Sequence, residues 1–289
     1  SEVPVADPNS VTAADNCGGS VDKSHIGDVI SSKTCDNRYT LTRTYMAKDL
    51  CGNTATCTQK ITVYDNTPPV ITCPANITVA CAKDVQAPNP ASVTANDNCG
   101  AATVLHTGDL ISSKICENRF TISRTYKAVD ACGKVTYCTQ KITVYDNIPP
   151  VLTCPANVTV SCAGQVPLPD LSAVTVSDNC NGFCSKLCVG DVITNKTCYN
   201  RFIVNRTYKT VDACGNSATC VQTITVDDQT APTVTCPTNI TVDCAGLVPV
   251  MNLTLIKATD NCSGAVTKGF VGDYVSNQTC VNNYLLTRV

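Results

Sequence analysis

The chain has 289 residues, 22 cysteines, no tryptophan and a formal charge of −2. A near-neutral chain without a Lys/Arg run lacks the concentrated positive field that nucleic-acid phosphates require, and no stretch of 18 apolar residues offers a membrane span. Cysteine at this density needs an oxidising compartment, so the chain is expected to be secreted or displayed on a cell surface. No signal peptide precedes "SEVPVADPNSVTAAD", which is expected to reflect its removal or an excerpt of a longer chain.

Length alone allows one large domain or two ordinary ones, but internal repetition sets the frame. The cysteines of four "DNC" motifs, Cys17, Cys99, Cys180 and Cys262, lie 82, 81 and 82 residues apart. Those of three "TCP" motifs, Cys73, Cys154 and Cys236, lie 81 and 82 apart. One unit is therefore about 82 residues. In chain order the expected units are a partial repeat over 1–65 lacking its first strand, a complete repeat over 66–147, and a complete repeat over 148–229 with an extra cysteine pair. A partial repeat over 230–289 lacks its last strands. This pattern predicts a segment of a longer array, and Cys35, Cys57, Cys236 and Cys262 are expected to lack partners within these 289 residues.

Within a unit the expected elements are short strands rich in Thr, Val and Ile. "ANITVAC" (75–81) comes first, then "RFTISRTYKAVD" (119–130), then "CTQKITVYD" (138–146), all bounded by Pro, Gly, Asn and Asp. The middle run alternates, with Phe120, Ile122, Tyr126 and Ala128 on one face and Thr121, Ser123, Thr125 and Lys127 on the other. No stretch shows a 3.6-residue period. Several short strands per unit predict an all-β chain of small tandem sandwiches.

Arg43, Arg124, Arg206 and Arg288 fall on the apolar phase of their strand, where an unpaired charge is costly. A recurring Asp after glycine, at Asp28, Asp109, Asp191 and Asp273, is the expected partner, the alternative being an arginine whose stem packs while its head reaches water.

Three further acidic positions recur: Asp65, Asp146 and Asp228 in the linkers, Asp97, Asp178 and Asp260 in "DNC", and Asp49, Asp130 and Asp212 in the last hairpin. Carboxylates gathered where repeats join would suit calcium, which takes six to eight oxygens. The competing reading is that these residues cap turns. Apart from calcium no cofactor is expected. The competing reading of the cysteines as zinc sites finds little support, because no CxxC occurs and the only histidines, His25 and His106, have no cysteines at ligand spacing.

Catalysis finds no foothold either. Neither histidine recurs in the third or fourth unit, which leaves no triad, and phosphate-cradling glycine loops are absent. Eight N-x-S/T sequons occur, at Asn76, Asn157, Asn195, Asn205, Asn239, Asn252, Asn261 and Asn277. Asn76, Asn157 and Asn239, in the recurring "CP(A/T)N(I/V)T" run, are the candidate glycosylation sites.

"PPVITCP" (68–74), "DNCG" (97–100) and the hairpin from Asp130 to Cys138 resemble hyalin-repeat (HYR-like) modules, which are immunoglobulin-like extracellular domains. The additional cysteines, "GDVISSKTC" and "NRYTLTRTY" are most similar to the cysteine-rich variant in very large surface proteins of Bacteroidota-type bacteria. The resemblance implies adhesion or a structural stalk, with no catalytic residue to carry over. It also implies an immunoglobulin-like topology.

Six cysteines per unit allow fifteen connectivities. That implied topology brings together cysteines at the same end of one module: Cys73 with Cys138, Cys81 with Cys116, and Cys99 with Cys132. The same register pairs Cys17 with Cys51, Cys154 with Cys220, Cys162 with Cys198, Cys180 with Cys214, and Cys244 with Cys280. In "CNGFCSKLC", Cys184 and Cys188 are left to bond each other, provided a turn separates them.

The expected function is a non-enzymatic stalk, filament or adhesin segment: a rod of modules about 35–40 Å long by strand rise, joined by stiff Asp-Asn-x-Pro-Pro linkers. Its expected partners are further repeats of the same chain, other copies in a fibre, or a surface glycan or protein. The alternative is a module that binds carbohydrate or protein through loops of each repeat.

Overall fold

The computed structural model describes residues 3–262 and 264–289. Its regular structure is β-strand, with six single-turn 3-10 segments and no α-helix among the described residues. The chain divides into two compact units, one up to Asn147 and one from Ile148.

The first unit opens with an antiparallel sheet of β1 (Asp22–Cys35), β2 (Arg38–Lys48) and β3 (Thr54–Tyr64), in that order. There follow β4 (Val70–Thr72), β5 (Ile77–Val79), β6 (Thr94–Asn96), β7 (Thr103–Cys116), β8 (Arg119–Val129) and β9 (Val135–Tyr145). β4 pairs antiparallel with β6, while β5 joins β9 in parallel to give a four-stranded sheet ordered β5-β9-β8-β7. The entering segment thus serves both layers, broken between them at "CPAN". β7, β8 and β9 reproduce β1, β2 and β3 residue for residue in length.

The second unit repeats the plan. β10 (Val151–Thr153) pairs with β12 (Thr175–Ser177), and β11 (Val158–Val160) joins β15 (Ser217–Asp227), β14 (Arg201–Val211) and β13 (Ser185–Cys198) in a sheet of that order. After it come the pair β16 (Thr233–Thr235) and β17 (Lys257–Thr259) and the hairpin β18 (Asp273–Cys280) with β19 (Asn283–Arg288). The chain is all-β and built of tandem immunoglobulin-like sandwich repeats.

Alternation decides which residues are inside. Along β8 every second residue from Phe120 to Ala128 is buried, the apolar phase read from the sequence, with Arg124 among them. Phe120, Ile122, Ile142 and Val144 form one core, with Val79, Ala82 and Val85 packed against it. Phe202, Val204, Ile224 and Val226 form its counterpart, covered by Val158, Val160, Ala163 and Val166. Cores of four buried side chains are small for domains of this size and call for staples.

Recurring polar clips tie the irregular segments to the sheets. Asn118 Oδ1 accepts from Ala82 N–H at 2.9 Å, and Asn200 does the same for Ala163. Buried Gln140 and Gln222 donate to the carbonyls of Ala75 and Ala156 at 2.8 Å. Asn76 and Asn157, candidates for glycosylation, each accept a backbone N–H at 2.8 Å, from Lys141 and Thr223. Their side-chain oxygens hold the entering strand against the last one. Asn239 lies exposed in the loop after β16.

The arginine on the apolar phase is a clamp. Arg124 Nε and Nη2 reach the two oxygens of Asp109 at 3.0 and 2.9 Å, and Nη1 donates to the Gln86 carbonyl at 2.9 Å. Arg43, Arg206 and Arg288 grip Asp28, Asp191 and Asp273 in the same way, with Nη1 on the carbonyls of Pro4, Pro167 and Pro249. A β-bulge makes this possible. The register slips between His106 and Gly108, whose φ of 156° suits glycine, so His106 and Asp109, three residues apart, share one face. His106 Nε2 then lies 2.9 Å from Asp109 Oδ1. In the second unit Cys188 occupies the histidine position, opposite Tyr208 as His106 is opposite Tyr126.

Hydrogen bonding from Arg124 holds the Asp109 carboxyl below its ordinary 3.8, against the opposing effect of burial. A lowered carboxylate stabilises the fold above its unfolded pKa, and the contribution is lost as pH falls through the folded value. Replacing Arg124 with Met should therefore cost about 1–3 kcal/mol in urea unfolding at pH 7, by stranding Asp109 and the Gln86 carbonyl. It should also flatten the fall in stability between roughly pH 5 and pH 2.

Candidate functional site

The features that distinguish this chain lie where one repeat meets the next within each unit. β3 ends at Tyr64 and the chain enters "DNTPP". Asp65 N–H donates to the Asn37 carbonyl in the β1–β2 turn at 2.9 Å, and Arg38 Nη2 donates to the Asp65 carbonyl at 3.1 Å. The Arg38 guanidinium stacks over Tyr64, 4.6 Å from the ring centroid. Asn118, Arg119, Tyr145 and Asp146 repeat the arrangement, as do Asn200, Arg201 and Asp228 without the tyrosine. Two prolines follow Asp65 and Asp146 within four residues, fixing φ just past the pinned aspartate.

Across the junction, Asn37 Nδ2 donates to the Cys99 carbonyl at 2.8 Å, and Lys134 Nζ reaches Asn66 Oδ1 at 2.7 Å. Above all, Cys35, the last residue of β1, is bonded to Cys132 in the β8–β9 turn, 97 residues on, with Cα atoms 5.2 Å apart. In the second unit Cys162, just after β11, is bonded to Cys262 in the turn after β17, 100 residues on and also 5.2 Å between Cα atoms. Both bonds run from the exit end of one repeat to the entry end of the next. Within repeats, Cys73 is bonded to Cys138 and Cys154 to Cys220, with Cα separations of 5.7 and 5.8 Å. Cys81, Cys116, Cys180 and Cys214 are disulfide-bonded as well.

Several same-end pairings expected within one module are thereby corrected. Cys99 does not bond Cys132, and Cys162 does not bond Cys198: Cys132 and Cys162 are taken by the neighbouring repeat, while Cys99 and Cys198 carry no disulfide. Cys17 and Cys51 are not joined, nor are Cys244 and Cys280. Cys35 and Cys262, expected to lack partners, each have one; Cys57 and Cys236 have no disulfide. The physical reason is that cysteines at one end of a repeat face those of the adjoining repeat, and reach across the boundary. No disulfide joins Cys184 to Cys188. Cys188 lies in extended β13 and Cys184 immediately precedes it, and four residues of strand span about 13 Å, far beyond a disulfide's reach.

The acidic positions divide. Asp130 Oδ1 accepts from the N–H of Cys132 and of Lys134, both at 2.8 Å, and Asp212 does so from Cys214 and Asn216, so these carboxylates cap the hairpin turn, as Asp49 does. Asp65, Asp97 and Cys99 form a group with ligand atoms within 4.8 Å of one another, as do Asp228, Asp260 and Cys262. Asp178 Oδ2 accepts from Cys180 N–H at 2.9 Å, and Asp146 is buried with its carbonyl on Arg119. One oxygen of Asp65, Asp97, Asp228 and Asp260 is already engaged by a turn N–H, while Asp97 Oδ1 is buried without a hydrogen-bond partner.

Two carboxylates per group supply fewer oxygens than calcium takes. The arrangement is compatible with that ion when water and carbonyls complete it, and demands none. Burial, Asp65 and Asp97 together push the Cys99 thiol up, keeping it protonated near neutral pH.

One stretch of the chain matches a known domain. Residues 69–144 match the HYR-like domain with 4 cysteines. No curated protein matches the chain in sequence. Among solved structures it is similar to protocadherin gamma B7 extracellular cadherin domains 1–4, at 13% identity over 93% of this chain and 83% of that one, with a TM-score of 0.33. Drosophila N-cadherin EC1-4 is similar at 14% identity over 79% and 69%, with a TM-score of 0.26. The human desmocollin-1 ectodomain is similar at 16% identity over 68% and 49%, with a TM-score of 0.23.

If the staple holds the first two repeats together, replacing Cys35 and Cys132 with Ser should let residues 22–64 and 70–145 reorient separately in ¹⁵N relaxation. Loop closure alone assigns this bond about 4–5 kcal/mol. EDTA should leave the parent's relaxation unchanged. Decoupling by EDTA with the bond intact would assign the junction to the carboxylates instead.

Proposed function

We propose that this chain is a segment of a non-enzymatic extracellular stalk, filament or adhesin, secreted or held at a cell surface and built of HYR-like repeats with boundaries near residues 66, 148 and 230. Its partners are further repeats of the same chain or other copies in a fibre. What carries the reading is the bond from Cys35 to Cys132, with its counterpart from Cys162 to Cys262. A sulfur bridge inside a module stabilises that module, whereas one across a boundary passes tension from repeat to repeat without unfolding either. That property serves a load-bearing tether and is of no use to a hydrolytic site.

Single-molecule pulling tests it. Oxidised chain should withhold the length enclosed between Cys35 and Cys132, and reduction should release it, on the order of 33 nm at full extension. Equal extension before and after reduction would remove the mechanical argument.

A second reading, recognition of a carbohydrate or protein through loops, is favoured by one observation. In the "CNGFCSKLC" insertion of the third repeat Phe183 stands 80% exposed beside Asn181, whose φ is 54°. Replacing Phe183 with Ser should abolish any glycan or protein binding that arrays detect, while leaving thermal unfolding unchanged.

A further inference from the structure

Four cysteines without a disulfide occupy the same structural positions as four that are bonded across repeat boundaries. Cys198 closes β13 opposite Arg201 as Cys35 closes β1 opposite Arg38. Cys51 lies in the β2–β3 turn as Cys132 lies in the β8–β9 turn. Cys244 precedes a 3-10 turn, Ala245–Leu247, as Cys162 precedes Ala163–Gln165. Cys99 N–H donates to Asp97 at 2.9 Å as Cys262 N–H donates to Asp260 at 3.0 Å. The bonded members of these sets fix a direction: the Cys35 and Cys162 positions bond 97 and 100 residues downstream, and the Cys132 and Cys262 positions bond upstream.

We propose that Cys198 and Cys244 are half-staples for a following HYR-like repeat, and Cys51 and Cys99 half-staples for a preceding one. A boundary between two repeats of one unit would then carry two parallel covalent bonds, one of each kind. Cys280 and Cys17 belong to the same two classes by position, whereas Cys57 and Cys236 match Cys138 and Cys73 and belong to bonds inside a repeat.

The partner is thus a repeat of this same type, recognised by its register rather than by a ligand pocket. Two bonds at one boundary remove the swivel that a single bond leaves. Cys51, Cys198 and Cys244 are exposed and Cys99 is half-buried. The chemistry is thiol–disulfide exchange with a small-molecule disulfide. One protein thiolate displaces a thiol from the oxidant, and the second protein thiolate then displaces the other. Two protein thiols and one disulfide give one protein disulfide and two small thiols.

The inference rests on the reading of the chain as a tandem array, and the test separates the two. The chain of 289 residues and a lengthened one, with a copy of residues 67–147 inserted in frame between Gln229 and Thr230, are oxidised with glutathione disulfide. They are then alkylated and digested without reduction. In the parent, Cys51, Cys99, Cys198 and Cys244 should all be alkylated. In the lengthened chain, the peptide carrying Cys198 should lose its alkylation and appear joined to the peptide type that carries Cys132.

The bonds Cys73–Cys138 and Cys154–Cys220 report that the repeats have folded. With both present, Cys198 still alkylated in the lengthened chain, or joined within its own repeat, overturns the proposal but leaves the array standing. Loss of those two bonds in the parent as well would refute the repeat architecture itself. Should only the lengthened chain misfold, the same non-reducing map of native material decides, through the presence or absence of Cys198 joined to a Cys132-type peptide.

Discussion

A covalent bond that crosses from one small sandwich to the next is the constraint on which this architecture depends. The cluster at the centre of each four-stranded sheet holds four buried side chains, a small apolar core for a domain of its size. The boundary is instead held by sulfur, by a linker aspartate pinned between hairpin backbone and arginine, and by hydrogen bonds such as Asn37 to the Cys99 carbonyl. Directional contacts of that kind fix an angle where a greasy patch would let modules slide.

The same economy governs the inside of each repeat. An arginine on the buried phase of a strand would be a liability alone. Here its three guanidinium nitrogens are spent on a bidentate carboxylate and on the carbonyl of the covering loop, so one residue links three segments. The glutamine and asparagine clips do similar work where a larger protein would use apolar volume. Because such polar ties are satisfied pairwise, they specify one arrangement of loops rather than merely favouring compactness.

Much of this was legible in the residues. The 82-residue period, the alternation from Phe120 to Ala128, and the Arg–Asp pairing followed from phase and spacing alone. The glycine before each of those aspartates lies at the bulge, but neither that bulge nor its placing His106 and Asp109 on one face was legible in the spacing. Disulfide connectivity across boundaries was hidden for a physical reason. Cys99 and Cys132 sit at one end of a module and Cys81 and Cys116 at the other, so proximity within the module fits as well as proximity to the neighbour. Only relative placement of successive repeats separates the two. The unequal fates of Cys35 and Cys57 in the first repeat were invisible for the same reason, and the expected bond between Cys184 and Cys188 failed because a strand begins where a turn was expected.

The most direct measurement is a disulfide map of the oxidised chain, cleaved between cysteines without reduction and read by mass spectrometry. The account predicts peptides joining Cys35 to Cys132 and Cys162 to Cys262. Recovery of Cys99 joined to Cys132, or Cys162 joined to Cys198, would confine the sulfur bonds to single repeats and contradict it.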